Sequence, residues 1–380
     1  MKTASHSVDQ FAVPCTVMRG GTSKGLFFLE SDLPADPQLR ERILLEAMGS
    51  PDPRQIDGLG GADTLTSKIV IVSKSTAPGI DLNYTFGQVG IDLPYVSYSA
   101  NCGNLSAAVG TFAIQEGLIK AVEPVTTVHI FNTNTRQVLV SRIPVSGGQP
   151  RVNGECAIAG VPGTGAEIQL DFARTKGATT GSLLPSGNVI DEIFVPELGK
   201  SIAVSIVDVA KVTMFFHARD IGIRGTETPD EFTPEILNRF WAIRNAGAKH
   251  IGLPPESRLP HPVSVIAPAD YINYMTKSTV RADEVSFVAR RVGGPPPRLH
   301  KAFAATGAVC TAVAANMPGT VVHQVARRFD DHVVRIGHPT GVFPVITRIN
   351  ADGEITEAAY TRTARRIMDG TVYVAAHSRS

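Results

Sequence analysis

The chain is poor in aromatic residues and in cysteine, and it has no long apolar run. Aromatics make up 6% of its 380 residues, with one tryptophan at Trp241. The four cysteines, Cys15, Cys102, Cys156 and Cys310, are far apart and form no CxxC pair. That argues against a disulfide framework or a zinc site and fits a reduced, cytoplasmic setting. No stretch approaches the roughly 18 uninterrupted apolar residues of a membrane span. Met1 to Val13 carries Lys2, His6 and Asp9 and has no apolar core, so no signal peptide is expected. Excess charge of one sign is missing as well, since 36 basic and 35 acidic residues leave a net +1. Nucleic acid and anionic membranes both require a concentrated basic footprint, so neither is an expected partner. The histidines follow no HxxxH or HExxH spacing, and no metal is expected. A GxGxxG dinucleotide fingerprint is also absent.

What is present is a globular composition, 43% hydrophobic and 19% charged. A chain this long exceeds the roughly 250–300 residues at which single cores stop growing, so two domains are expected. Glycine at 35 and proline at 26 point to turns and short strands. Cys15–Met18, a Gly-rich turn and Leu26–Leu29 read as strand, turn, strand. Asp36 with Pro37 opens a helix that ends near Gly49. Strands are expected at 68–73, 81–89, 125–130, 137–143 and 157–161, then at 321–323, 331–336 and 342–349. Amphipathic helices are expected at 233–246 and 362–369, and 287–298 reads as a loop. From Leu105 to Ile114 the chain is a helix of small residues, apolar on nearly every side, as buried helices are. Lys301 to Ala315 repeats this pattern, with Thr306-Gly307 standing where Cys102-Gly103 stands in the first copy. The expectation is an α+β chain of two similar halves, 1–182 and 183–380, each a curved sheet wrapped around a central helix. A cleft between such halves is a common place for a ligand.

Five segments carry side chains suited to chemistry. In Ala100-Asn101-Cys102-Gly103-Asn104 a cysteine sits at the mouth of a buried helix, where the dipole favours a thiolate or a bound carboxylate. The alternative is a packed thiol beside an Asn101 or Asn104 cap. Lys68 follows Thr66-Ser67 at the start of an apolar strand. Partial removal from water disfavours the ammonium form, as a general base requires, whereas a surface lysine would snorkel. Arg19-Gly20-Gly21-Thr22-Ser23-Lys24-Gly25 lacks phosphate-loop spacing and is followed by a strand, yet its N–H groups, hydroxyls and cations suit a carboxylate. Ser186-Gly187-Asn188 and Gly337-His338-Pro339-Thr340-Gly341 are turns with further donors.

As a set these segments resemble a known family. Met18–Gly25, Gly49-Ser50-Pro51-Asp52-Pro53 with Gln55–Gly58, Asn101–Asn104 and Gly337–Gly341 are similar, in order, to the 2-methylaconitate cis-trans isomerase (PrpF) family. That family includes methylitaconate isomerase and 4-oxalomesaconate tautomerase. The resemblance implies a diaminopimelate epimerase-like fold, no cofactor, and a small unsaturated di- or tricarboxylate as substrate, with a homodimer as a further expectation. Epimerases of this fold pair one cysteine from each half. Here Cys102 matches the first and Thr306 stands at the second, so two-thiol racemisation is disfavoured. The resemblance places the base at Lys68 and an assisting or positioning role at Cys102. It places substrate contacts at Arg19, Thr22, Ser23, Ser67, Asn101, Gly103, Asn104, Ser186, Asn188, Lys301, Thr306, Gly307, His338 and Thr340. Arg298-Leu299-His300-Lys301 resembles the methylaconitate branch more than the oxalomesaconate branch.

Overall fold

A computed structural model describes residues 9–99, 101–158, 160–254, 256–294 and 296–375. Residues 1–8, on which the signal-peptide expectation rests, and Ala100 lie outside them. The chain divides into two compact units, one running through Leu170 and resuming at Thr361, the other Asp171–Tyr360. The expected division at 182/183 is therefore moved on two counts. Residues 171–182 pack with the second unit, and the chain after Tyr360 returns to the first.

In the first unit, strands Gln10–Gly20 and Ser23–Leu29 form an antiparallel hairpin closed by Gly21 and Thr22. Gly21 has a φ of +51°, a left-handed conformation glycine adopts without strain. Ser23–Leu29 runs parallel to strand Lys68–Lys74, which pairs antiparallel with Leu82–Val89. Val125–Asn132 continues the sheet in parallel and Gln137–Ser146 closes it. Helix α1, Pro37–Met48, starts as expected, with the Asp36 carboxylate accepting from Leu39 N–H at 2.7 Å, and ends at left-handed Gly49. Its buried Ile43, Leu44, Ala47 and Met48 pack with Leu26, Phe28, Ile69 and Ile71. Phe27 points to the opposite face, as the two-residue strand period requires, and meets Phe112 at 5.4 Å between rings.

Phe112 belongs to helix α2, Ser106–Gln115, whose residues from Ser106 to Ile114 are all buried. The helix packs against the first strand and its partner Ala364–Ala375 toward one side of the sheet and against Gln137–Ser146 toward the other. A sheet touching one helix from both sides has to curl around it. Small residues make this possible: a Cβ on Gly110 would lie 2.5 Å from Ile143 Cδ1.

The second unit repeats the plan. Strands Asp191–Val195, Lys200–Val209, Lys211–His217, His261–Ile266, Phe287–Gly293, Val333–His338 and Gly341–Ile349 form its sheet. Helix α3, Pro234–His250, covers one face, with Phe240 edge-on to Phe216 at 5.1 Å. Helix α4, Ala305–Asn316, lies on the other face, buried from Gly307 to Ala315. It touches Lys200–Val209 and Gly341–Ile349, strands from both ends of the pairing order, so this sheet curls as well.

Four local expectations are corrected. Ala364–Ala375 is a strand paired with Gln10–Gly20, not a helix at 362–369, because a long antiparallel partner overrides weak local propensity. Val321–Val325 is a helix, α5, because the Thr320 side chain accepts from His323 N–H at 3.1 Å and caps it. Phe287–Gly293 is a strand buried on both faces, not a loop; Pro295 within that expected loop lies outside the described residues. Residues 157–161 form no strand, since only Cys156 bridges to Gly165; Ala159 is outside the described residues.

Candidate active site

Lys68 is the first residue of its strand and is 7% exposed. Its amine donates to Gln88 Oε1 at 2.5 Å and lies 5.1 Å from the centre of the Phe86 ring. Gln88 is its register partner and donates in turn to the Ser67 carbonyl at 2.9 Å. Ser67 is fully buried and donates to Gln55 Oε1 at 2.6 Å; Gln55 donates to Ser50 Oγ at 2.9 Å. The polar chain Ser50–Gln55–Ser67 thus fixes the entry to the strand, with Gly58 and Gly60 packed too tightly against Met48, Gly49 and Gln55 to carry a side chain. Among the described residues no carboxylate pairs with Lys68. Its amine is held by a neutral amide and an aromatic face.

Cys102 is a free, partly buried thiol. Its carbonyl accepts from Ser106 N–H and from Ser106 Oγ, each at 2.9 Å, and so anchors the start of α2. The expected asparagine cap is corrected: the N-cap is Leu105, with no side-chain bond. Both asparagines are engaged elsewhere. Asn101 Oδ1 accepts from Ser106 and from Asn132, while Asn104 donates to Thr22 Oγ1 at 2.9 Å and accepts from Arg362 Nε at 3.1 Å. The Gly20–Thr22 turn seats on this corner, since a Cβ on Gly20 would lie 2.5 Å from the Asn104 carbonyl oxygen. Gly25 joins the two parts: its missing Cβ would stand 2.7 Å from the Lys68 carbonyl oxygen and 3.0 Å from Leu105 Cδ1. Lys68 and the start of α2 therefore meet on one glycine. Arg19 donates instead to the carbonyls of Gly21 and Thr363, both at 2.9 Å, which makes it a brace of the turn. Ser23 is 2% exposed, and its hydroxyl has no hydrogen-bond partner among the described residues.

In the second unit Thr306 and Gly307 lie inside the first turn of α4, whereas Cys102 precedes α2, so the two positions differ in helical register. Phe303 joins the expected residues: its ring meets Gly307, and it stands 6.5 Å from the His338 ring. Thr340 N–H and Oγ1 both lie 3.3 Å from His338 Nδ1. The Lys301 amine is 6.0 Å from the Tyr274 ring, beside the Pro339 turn. Ser186 and Asn188 are not gathered here. Asn188 donates to Asp191, which also holds His250, and neighbouring Val189 packs on Gly319 beyond the far end of α4. Burial works to raise the Asp191 carboxyl, but bonds from Ser186, Asn188 and His250 outweigh it and hold it below the usual range.

Residues the sequence reading missed surround the α4 start. Arg291, 8% exposed, reaches Gly307, and His300 N–H donates to the Arg291 carbonyl at 2.9 Å. Burial, with Arg290 and His300 nearby, pushes His338 down to about 3. The folded state then binds this proton less readily than the unfolded chain, so stability is full above about pH 6.5 and falls as pH drops toward 3. Between pH 7 and 4.5 we expect His338 to account for roughly 2–3 kcal/mol of lost stability. Urea midpoints at the two pH values check this. A His338→Gln variant with an unchanged pH difference would remove His338 as the cause.

A family model described as PrpF protein matches residues 10–375. The 3-methylitaconate isomerase of Eubacterium barkeri is 47% identical over 96% of this chain and 98% of its own length. An (4E)-oxalomesaconate Delta-isomerase of Novosphingobium is 40% identical over 96% and 98%. A crystal structure of methylitaconate-delta-isomerase superposes with a TM-score of 0.91 at 46% identity, covering 97% of both chains. A hydroxyproline epimerase from Agrobacterium vitis, 11% identical, superposes at 0.52 over 96% of this chain and 93% of its own, a likeness of fold alone.

Proposed function

The chain belongs to the PrpF protein family, has the diaminopimelate epimerase-like fold and is an isomerase, and from that premise we propose that it moves an allylic proton on an unsaturated di- or tricarboxylate, with Lys68 as base. The observation that carries the reading is the environment of Lys68. Its amine is enclosed and rests on an amide oxygen, and among the described residues no carboxylate pairs with it. In neutral form it takes a proton from the carbon next to the double bond. The electron pair left behind delocalises through the alkene into the conjugated carboxylate, giving a dienolate. The former double bond is now weakened. Rotation about it and return of the proton to the same carbon give the geometric isomer; return at the far allylic carbon shifts the double bond. Charge grows on carboxylate oxygens during this step, and the positive end of α2 beside Cys102 favours it.

Unsaturated tricarboxylates such as 2-methylaconitate or aconitate are the first choice of substrate, and 4-oxalomesaconate is the second. Incubation with 2-methylaconitate, trans-aconitate, methylitaconate and 4-oxalomesaconate in heavy water, followed by NMR, tests the reading. Deuterium entering an allylic position together with a moved or inverted double bond supports it and identifies the substrate. Binding of these acids without any exchange would make the protein a carboxylate binder and end the proposal.

Cys102 is the assisting group in this scheme. Serine keeps the size and donates a hydrogen bond but is a far weaker acid. Cys102→Ser should therefore lower kcat by roughly 10- to 100-fold while KM changes little. Steady-state kinetics on the substrate identified above decide it, and an unaltered kcat would leave Cys102 a packing residue.

A further inference from the structure

Arg290 and Arg291 are consecutive, both buried, and treated differently by the fold. The Arg290 guanidinium donates from Nε to the Glu227 carbonyl at 2.8 Å and from Nη1 to the Ala289 carbonyl at 3.0 Å. Those bonds, with the Tyr271 ring 5.4 Å from the guanidinium, hold it as a structural residue, although its Nη2 is also buried without a partner among the described residues. Arg291 points to the other face of the sheet, the face that receives α4, and its buried Nε has no acceptor among the described residues. That nitrogen stands 3.4 Å from the position a Cβ would occupy on Gly307, in the first turn of α4. It is aimed at a helix N-terminus, where backbone N–H groups and the dipole also call for negative charge.

The groups around it deepen the deficit. Arg291 is in register with Val263, two residues along from His261, and Thr213, two residues from Lys211, is the register partner of His261. His300 adds a buried Nδ1 with no partner. Burial, then Arg291, lowers Lys211 and brings His300 to about 4. His261 is held well below its ordinary value, first by burial and then by Arg291, Lys211, Arg244 and His300. Among the described residues no acidic side chain pairs with Arg291, Lys211, His261 or His300. An enclosed cation without a counter-charge is unfavourable in any fold. Here the Arg291 guanidinium, a fork that matches a carboxylate geometrically, stands at a helix start, with Lys211 on a neighbouring strand and two histidines whose protonated forms burial disfavours.

We propose that Arg291, His300 and the start of α4 form a carboxylate-binding site of the second unit, with Lys211 supplying background positive charge. The ligand is a small polycarboxylate, and to that extent the inference rests on the proposed function. Tricarballylate, a saturated tricarboxylate with no allylic proton to lose, separates binding from chemistry.

Titration calorimetry on the full chain should show tricarballylate binding to wild type and to Lys68→Ala. Arg291→Met should weaken it by about 30-fold or more, because the guanidinium bonds to the anion are made away from water. His300→Asn should weaken it in the same direction but less. The unliganded Arg291→Met protein should also melt at a higher temperature than wild type, since an unpaired buried charge has gone, while losing the upward shift that tricarballylate produces in wild type. Such a result requires a folded variant, so loss of binding is not mistaken for loss of fold. Unchanged tricarballylate affinity in Arg291→Met overturns the site. So does absence of binding to wild type, or tighter binding of inorganic sulfate than of tricarballylate. The two readings fail separately. Lost binding in Arg291→Met with no deuterium exchange in wild type would keep the site and remove the chemistry; exchange with intact binding in the variant would do the reverse.

Discussion

Lys68→Ala is expected to lower kcat/KM by about 10⁴-fold, the upper end of what a positioned proton-transfer group contributes. The variant loses the amine held against Gln88 and Phe86. Nothing nearby replaces it, since Gln88 is an amide and Ser67 is engaged with Gln55. Lys68→Arg should be nearly as inactive, because a guanidinium does not give up its proton in a protein and so offers no lone pair. Lys68→Met is the useful control: it keeps the apolar stem against Phe86 and leaves Gln88 Oε1 short of a donor, at a stability cost of about 1–3 kcal/mol. Kinetics, circular dichroism and deuterium exchange on the same preparations separate lost chemistry from lost fold. A folded Lys68→Ala protein that still exchanges substrate protons at the wild-type rate would remove Lys68 from the mechanism.

Gly20→Ala is the second large effect, and it touches no reacting atom. The added methyl would lie 2.5 Å from the Asn104 carbonyl oxygen, 3.0 Å from Leu105 Cα and 3.2 Å from Ala108 Cβ. Two of these are backbone atoms, so relief comes only by moving the start of α2 away from the hairpin. Overpacking of this kind costs about 1–3 kcal/mol. The same movement displaces Cys102, whose carbonyl anchors that helix start. A misplacement near 1 Å can lower turnover by about 100-fold. We expect a folded protein with kcat reduced by that order and with Lys68 and Cys102 unaltered. A Gly20→Ala enzyme with wild-type kcat would show that the corner tolerates the shift.

Much of this corner could be read from the sequence because its signals are local. Asp36-Pro37 and Gly49 mark helix ends by cap chemistry, and the small-residue helices identify themselves by having no polar side. The family motifs brought in Lys68 and Cys102. What escaped was decided by distant partners. Ala364–Ala375 resembles a helix until Gln10–Gly20 lies beside it. Asn104 resembles a cap until Thr22 and Arg362 compete for its side chain. Arg291 sits in a run of valines and glycines where nothing local separates it from Arg290; only the pleat, which turns alternate residues to opposite faces, gives the two arginines different surroundings. Ser186 and Asn188 show the reverse case, a turn with suitable donors that the fold carries to the far end of α4.

The pairing of the first strand with the last, from Gln10 with Ala375 to Gly20 with Ala364, has a consequence during synthesis. The segment Asp171–Tyr360 is uninterrupted and can close as soon as it leaves the ribosome. The unit begun earlier has to wait, because the hairpin edge at Gln10–Gly20 gains its neighbour only after about 350 further residues have been made. Until then the nascent chain presents an unpaired strand edge, the kind of template on which unfinished chains stick to one another. The unit that holds Lys68 and Cys102 is thus completed only once Ala364–Ala375 has been made.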